Sequence, residues 1–216
     1  GAYFQDQIEL PYGIRIMGGF RYDDATNRNR VTNDVTGKDS RFSPRGGLVW
    51  KPVPWVSLYG SYSENFGVSN RRNANGSSLP PEIAQQWEMG LKTELFDGRL
   101  NASFAYFELT KQNISTADPA NPRFSRALGE AETRGYEFDV KGEVMPGWNV
   151  IATYMYMPFA KITKDRGSEC LVEPTGDSHN SECLEFGITT GDQGSRLFLA
   201  SKHTGSFWST YEFQQP

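Results

Sequence analysis

The chain of 216 residues carries a net charge of −4, with 37% hydrophobic and 13% aromatic residues. Mild acidity without a basic cluster argues against a nucleic-acid partner. No run of about 18 or more apolar residues occurs, which excludes a transmembrane helix. So low an apolar fraction suits either a soluble protein or a barrel whose every second residue faces a polar lumen. The opening Gly1-Ala2-Tyr3-Phe4-Gln5-Asp6-Gln7 lacks the basic region and apolar core of a signal peptide. It starts in mid-strand, which suggests a fragment or a processed chain.

Residues 2–10 alternate Ala2, Phe4, Ile8 and Leu10 against Tyr3, Gln5, Gln7 and Glu9. Side chains of a strand point to opposite faces in turn, so this spacing predicts a strand with one apolar and one polar face. After the break Pro11-Tyr12-Gly13, residues 14–22 repeat the pattern with Ile14, Ile16, Gly18, Phe20 and Tyr22. Asp23 to Ser40 is polar without an apolar period and is expected to be a long loop. Phe42 to Lys51 follows; Pro44 in it cannot donate to a ladder and belongs near a strand end or bulge. A tight Pro52-Val53-Pro54 turn leads into residues 55–65, where Val56, Leu58, Gly60 and Tyr62 share one face. Phe66 to Ala84 is a second long loop.

Residues 85–110 hold the clearest hairpin. Trp87, Met89, Leu91, Thr93 and Leu95 share one face, as do Leu100, Ala102, Phe104 and Tyr106. Asp97-Gly98 between them tolerates the positive φ of a tight turn. Each strand has roughly ten residues, enough to cross a bilayer at a tilt. A third loop, Lys111 to Leu128, precedes residues 131–142, with Tyr136, Phe138, Val140 and Gly142 opposite Gly135, Glu137, Asp139 and Lys141. Met145-Pro146-Gly147 turns the chain into residues 148–156. Pro158 is expected to shorten this eighth strand. The longest loop, about Pro158 to Arg196, leads to a last strand, about His203 to Phe213.

This gives an all-β, antiparallel up-and-down meander of about nine long strands, part of a transmembrane β-barrel. Short and long connections alternate along the whole chain, as in outer-membrane barrels, where turns are short inside and loops long outside. Aromatic residues gather near strand ends, among them Tyr12, Tyr22, Trp50, Trp55, Trp87, Phe96, Tyr106, Trp148, Tyr156 and Tyr211. Amphipathic rings at that height suit a membrane interface.

Cys170 and Cys183 lie in one polar segment without zinc or redox spacing. A loop disulfide in an oxidising compartment is the favoured reading, two free thiols the other. His179 and His203 have no partner at metal-ligand spacing, and no nucleophile constellation stands out. No enzymatic activity and no resident cofactor or metal is therefore expected. Glu137 and Asp139 neighbour each other on one strand face. They suit a charged lumen wall, with Lys92 or Lys141 as partners, better than a catalytic acid pair.

Several runs resemble TonB-dependent siderophore receptors: Phe42-Ser43-Pro44-Arg45-Gly46-Gly47-Leu48-Val49-Trp50-Lys51-Pro52, Trp55 to Phe66, Leu79-Pro80-Pro81-Glu82 and Gly90 to Leu100. So do Ala105 to Asn113, Thr133 to Val140 and His203 to Trp208. The resemblance leans to ferrichrome- and hydroxamate-type members. It implies a bacterial outer-membrane barrel of about 22 strands with a plugged lumen. Such a receptor takes up a ferric siderophore from outside, driven by TonB pulling on the plug. The residues assign positions 1–216 to one barrel segment without plug domain or closing barrel strand. TonB would then be reached only through a plug domain, and outer-membrane lipid would surround the wall.

Ligand contacts are expected on the lumen face near the outer rim and in the long loops. Aromatic and arginine side chains suit an iron chelate by packing and hydrogen bonding. Phe66, Arg71, Arg72, Phe107, Phe124 and Arg126 are the candidates. Two other readings compete: a soluble β-sandwich that binds carbohydrate, and a small stand-alone outer-membrane barrel. If 1–216 were a whole protein, its open edges would have to close into a small barrel or pair between copies.

Overall fold

The long strands pair antiparallel in chain order in one sheet, as the alternation of short and long connections predicts. The structure is a computed structural model that describes residues 1–28, 30, 32–118, 121, 123–127, 129–164, 193–197 and 199–213. In chain order the strands are β1 (Ala2–Leu10), β2 (Ile14–Arg28), β3 (Val35–Val53), β4 (Val56–Gly67), β5 (Glu82–Leu95) and β6 (Leu100–Gln112). There follow β7 (Ser115–Ala117), β8 (Ser125–Ala127), β9 (Glu130–Met145), β10 (Trp148–Lys164) and β11 (His203–Tyr211). Nine of them form one sheet in the order β1-β2-β3-β4-β5-β6-β9-β10-β11, and β7 and β8 form a small hairpin of their own.

Register decides which residues share a face, because directly opposed residues in a ladder point the same way. Ile16 opposes Ile8 and Leu48, and Leu48 opposes Gly60. Gly60 opposes Met89, Met89 opposes Tyr106, and Tyr106 opposes Tyr136. Tyr136 in turn opposes Tyr156. One apolar face thus runs unbroken across the sheet. It is not covered: Phe4, Trp87 and Met89 are 57–60% exposed. The buried apolar residues among those described are few, Leu79, Ala105, Ala131, Val150, Ala160 and Ile162. Among the described residues there is no core between two layers, and the β-sandwich reading is therefore corrected. An apolar face this wide is stable only in an apolar surrounding.

A row of rings bounds the apolar face on the long-loop side. Ring centroids lie 5.0 Å apart in Phe20–Phe42, 4.6 Å in Tyr62–Trp87, 5.4 Å in Tyr106–Tyr136 and 6.4 Å in Tyr136–Tyr156. His203 stacks on Tyr156 at 4.9 Å and its Nδ1 shares a 2.8 Å hydrogen bond with the Tyr154 hydroxyl. Beyond this row the same face turns polar, with Asp24, Lys38, Glu64, Glu108 and Arg134. On the short-turn side stand Tyr12, Trp55, Phe96, Trp148 and Tyr211. From Phe42 to Trp50 the strand runs about 27 Å along its length, about 21 Å of height at a tilt of about 40°. An apolar band about 25 Å tall, girdled by aromatics, is the outer wall of a membrane barrel.

The short turns follow their residues. Pro146 and Gly147 alone separate the paired Met145 and Trp148; proline presets the first turn φ and Gly147 supplies the positive φ of 80° that follows. The Asp97-Gly98 connection is a four-residue turn, since Phe96 and Asp97 both also adopt positive φ, and Leu95 pairs with Leu100.

Two expectations need correction. Asp23 to Ser40 is not a loop: β2 continues to Arg28 and β3 begins at Val35, paired from Asp23↔Arg41 to Arg28↔Val35. Both faces of this extension are wet, so no apolar period marks it. Pro158 does not end its strand either. It falls in a register shift between Tyr156 and Phe159, a bulge where a missing N–H leaves no ladder gap. The Arg196 guanidinium donates to the Met157 and Pro158 carbonyls, at 2.9 Å and 3.3 Å. Ser195 and Leu197 then pair with Ile162 and Ala160, covering the upper edge of β10. Among the described residues β1 and β11 remain unpaired on their outer sides, so the sheet does not close on itself. Cys170, Cys183 and His179 lie outside the described residues.

Candidate ligand-binding site

The three described long connections meet at one end of the sheet. Asn27 at the tip of β2 donates through Nδ2 to the Ser69 carbonyl at 3.2 Å. The Ser78 amide donates to the Thr36 carbonyl of β3 at 3.4 Å. These bonds tie the β2–β3 hairpin to the β4–β5 loop, residues 68–81. That loop is tied in turn to the β6–β9 loop: the Ser125 amide of β8 donates to the Arg72 carbonyl at 2.8 Å, and Arg71 Nη1 reaches Ser125 Oγ at 3.5 Å. Asn113 Nδ2 donates to the Pro81 carbonyl at 2.8 Å. The Glu82 carboxylate accepts from the Ser115 amide at 3.3 Å and pairs with Lys111 Nζ at 2.7 Å.

Local sequence explains why these loops hold a shape. Asn73 Oδ1 accepts from the amides of Asn75 and Ser77 at 3.1 Å and 2.9 Å, the turn-forming habit of asparagine. This turn sets Arg72 opposite Ser78 and buries Leu79 beneath. In the other loop the Asp118 amide donates to the Phe124 carbonyl and the Phe124 amide to the Asn121 carbonyl, closing the tip of the β7–β8 hairpin.

Four of the six candidate residues, Arg71, Arg72, Phe124 and Arg126, lie in these two bonded loops. Arg71 is exposed, and Arg72, Phe124 and Arg126 are half-buried. Phe107 lies below them on the polar face, opposite Glu88 and Gly135. Phe66 stands on the other face: it opposes Ile83 and shares the side of Tyr62 and Trp87. Counting in twos from Tyr62 would have revealed that parity. Sequence reasoning also passed over Arg123, Ser125, Asn113 and Glu82. Arg123 adjoins Phe124 and could have been found by its charge. The others act through backbone contacts that no spacing announces.

Below the loops the polar face is lined by flat aromatic rings and carboxylates. Tyr59 lies over Gly90, its direct partner, donates to Glu88 Oε1 at 2.7 Å and carries Lys92 Nζ 4.8 Å above its ring centroid. Gln86 donates to the other Glu88 oxygen at 3.1 Å. Asp139 accepts from Ser103 at 3.4 Å. Among the described residues Glu137 and Asp139 form no ion pair with Lys92 or Lys141, contrary to expectation, because Lys92 is drawn to Tyr59. The rim therefore offers guanidinium donors beside an aromatic ring above a polar, carboxylate-bearing wall. Guanidinium groups bind carboxylate-like oxygens with charge-assisted hydrogen bonds, and rings pack on flat ligand surface.

The family profile described as "TonB dependent receptor-like, beta-barrel" matches residues 1–216. The metal-pseudopaline receptor CntO of Pseudomonas aeruginosa is 30% identical over 98% of this chain and 28% of its own length. The ferrichrome outer membrane transporter/phage receptor of Escherichia coli K12 is 30% identical over 99% of this chain and 25% of its own. Among solved structures, the siderophore receptor PiuA of Acinetobacter baumannii superposes with a TM-score of 0.73 at 24% identity, over 97% of this chain and 30% of that one. The chain thus spans about a quarter to a third of the length of these relatives.

Proposed function

Because the chain belongs to the TonB-dependent receptor β-barrel family, we propose that it is a stretch of barrel wall in an outer-membrane receptor that imports ferric siderophores. The wall stands in the bacterial outer membrane with its long loops outward. The observation that carries the reading is the nine-strand sequential meander with one unbroken apolar face, girdled by rings and capped by interlocked polar loops. Its open edges, β1 and β11, continue into further strands of the barrel, and residues 1–216 form one segment of that barrel. The energy comes from TonB, acting through a plug domain outside this segment. The siderophore is held by Arg71, Arg72, Phe124 and Arg126 at the rim and by Phe107 lower in the lumen; Phe66, on the outward face, stands apart from this set. Iron is cargo within its chelate.

The test is radioactive iron uptake by cells that depend on the whole receptor for one supplied chelate. Uptake is expected with TonB present and should vanish when TonB is deleted. Uptake that survives TonB deletion would overturn the coupled-transport reading and favour an open pore.

A further inference from the structure

The two interlocked loops carry an inverted charge balance. The whole chain is net −4. Residues 68–81 and 113–129 contain four arginines, Arg71, Arg72, Arg123 and Arg126, against one carboxylate, Asp118. The positive charge is not spread along a loose segment. It is fixed by the Ser125–Arg72 backbone bond, the Arg71–Ser125 side-chain contact and the Asn73 turn. Phe124 follows Arg123 in the chain, on the half-turn that the Asn121 carbonyl closes.

Charge counting then separates classes of chelate. Three hydroxamates balance one ferric ion, so a plain tris-hydroxamate complex is neutral. A complex that bears free carboxylates, or that binds iron through catecholates, keeps net negative charge. Building on the uptake reading above, we infer that this receptor selects ferric chelates of net negative charge, with Arg71, Arg72 and Arg123 setting that preference. Guanidinium–carboxylate hydrogen bonds form at the rim, and Phe124 packs against the chelate body. Several such charge-assisted bonds together discriminate by about tenfold or more in affinity. Pre-set donors lose little freedom on binding, which favours fixed loops over flexible ones.

The experiment uses the whole receptor in detergent and two ferric tris-hydroxamates on one cyclic peptide core. One has methyl-ended arms and is neutral; the other has carboxylate-ended arms and is anionic. The anionic chelate is expected to bind at least about tenfold more tightly, the gap shrinking with added salt. The triple variant Arg71→Gln, Arg72→Gln, Arg123→Gln should lower anionic-chelate affinity to that of the neutral chelate, with circular dichroism unchanged. Equal binding of both chelates, or a gap that survives the triple variant, overturns the charge selectivity and leaves the uptake reading standing. Binding of neither chelate, nor of a ferric tris-catecholate, overturns both.

Discussion

The ring of Phe107 lies flat over Gly135, its direct partner on the neighbouring strand. A β-carbon at Gly135 would stand 2.8 Å from Phe107 Cζ and 2.8 Å from the Tyr156 carbonyl oxygen. The first contact belongs to a side chain and the second to the backbone ladder. Gly135→Ala is therefore expected to destabilise the barrel by about 1–3 kcal/mol. Adding Phe107→Ala should recover only part of that loss, because the carbonyl stays. Thermal unfolding of the detergent-solubilised receptor and both variants checks this.

Phe107→Ala by itself is expected to weaken chelate binding, by removing a ring that faces the lumen. Titration of the whole receptor with a ferric siderophore reads the effect. Unchanged affinity would remove Phe107 from the binding set.

Phe104 and Ser103 are neighbours on opposite faces of β6. Arginine at Phe104 would stand in the apolar band and is expected to cost about 2–4 kcal/mol of stability in lipid. Ser103→Arg faces the polar side, near Asp139, and should be nearly neutral. Folding into vesicles of defined thickness, followed by urea titration, compares the two.

Acid should loosen the rim at one named tie. Burial would raise the Glu82 carboxyl, but hydrogen bonds from Lys111 and Ser115 and the Lys111 charge overcome that and hold it below the ordinary glutamate value. Glu82 lies beyond the aromatic row, outside the membrane-crossing part of β5. A carboxylate with a lowered folded-state pKa stabilises fully above its unfolded value and loses that contribution as pH falls through the folded one. Protection of the Ser115 amide from exchange should thus persist through the ordinary glutamate range and fall only below it. In Glu82→Gln protection should be lower at neutral pH and insensitive to acid.

Arg196→Ala removes the two donors that hold the bulge carbonyls of Met157 and Pro158. The side chain is exposed, so the loss should be modest, about 1 kcal/mol or less. Faster amide exchange at Ile162 and Leu197, with β9–β6 amides unaffected, is the expected signature.

The sheet was legible where solvent differs on its two faces. Met89 and Tyr106 alternate with Glu88 and Ala105 because one side meets lipid and the other water. Asp23–Arg28 and Val35–Arg41 were illegible because water wets both sides, and only backbone pairing holds them. Pro158 misled because its cost depends on register, and a bulge removes that cost. The rim was half legible: arginines and Phe124 mark themselves by chemistry. Their convergence rests on main-chain bonds such as Ser125 to Arg72, which carry no side-chain signature. Phe66 was assigned by type instead of parity.

The length of β3 has a consequence for where capture happens. Its 19 residues extend about 65 Å at about 3.4 Å each. Tilted by about 40°, that is about 50 Å of height for an apolar band of about 25 Å. The far end of the β2–β3 hairpin, to which the loops are tied, stands well clear of the lipid surface. Fields in physiological salt decay over about 8 Å, so charge at the lipid surface does not reach the rim arginines. An incoming anion meets their field far above the headgroups.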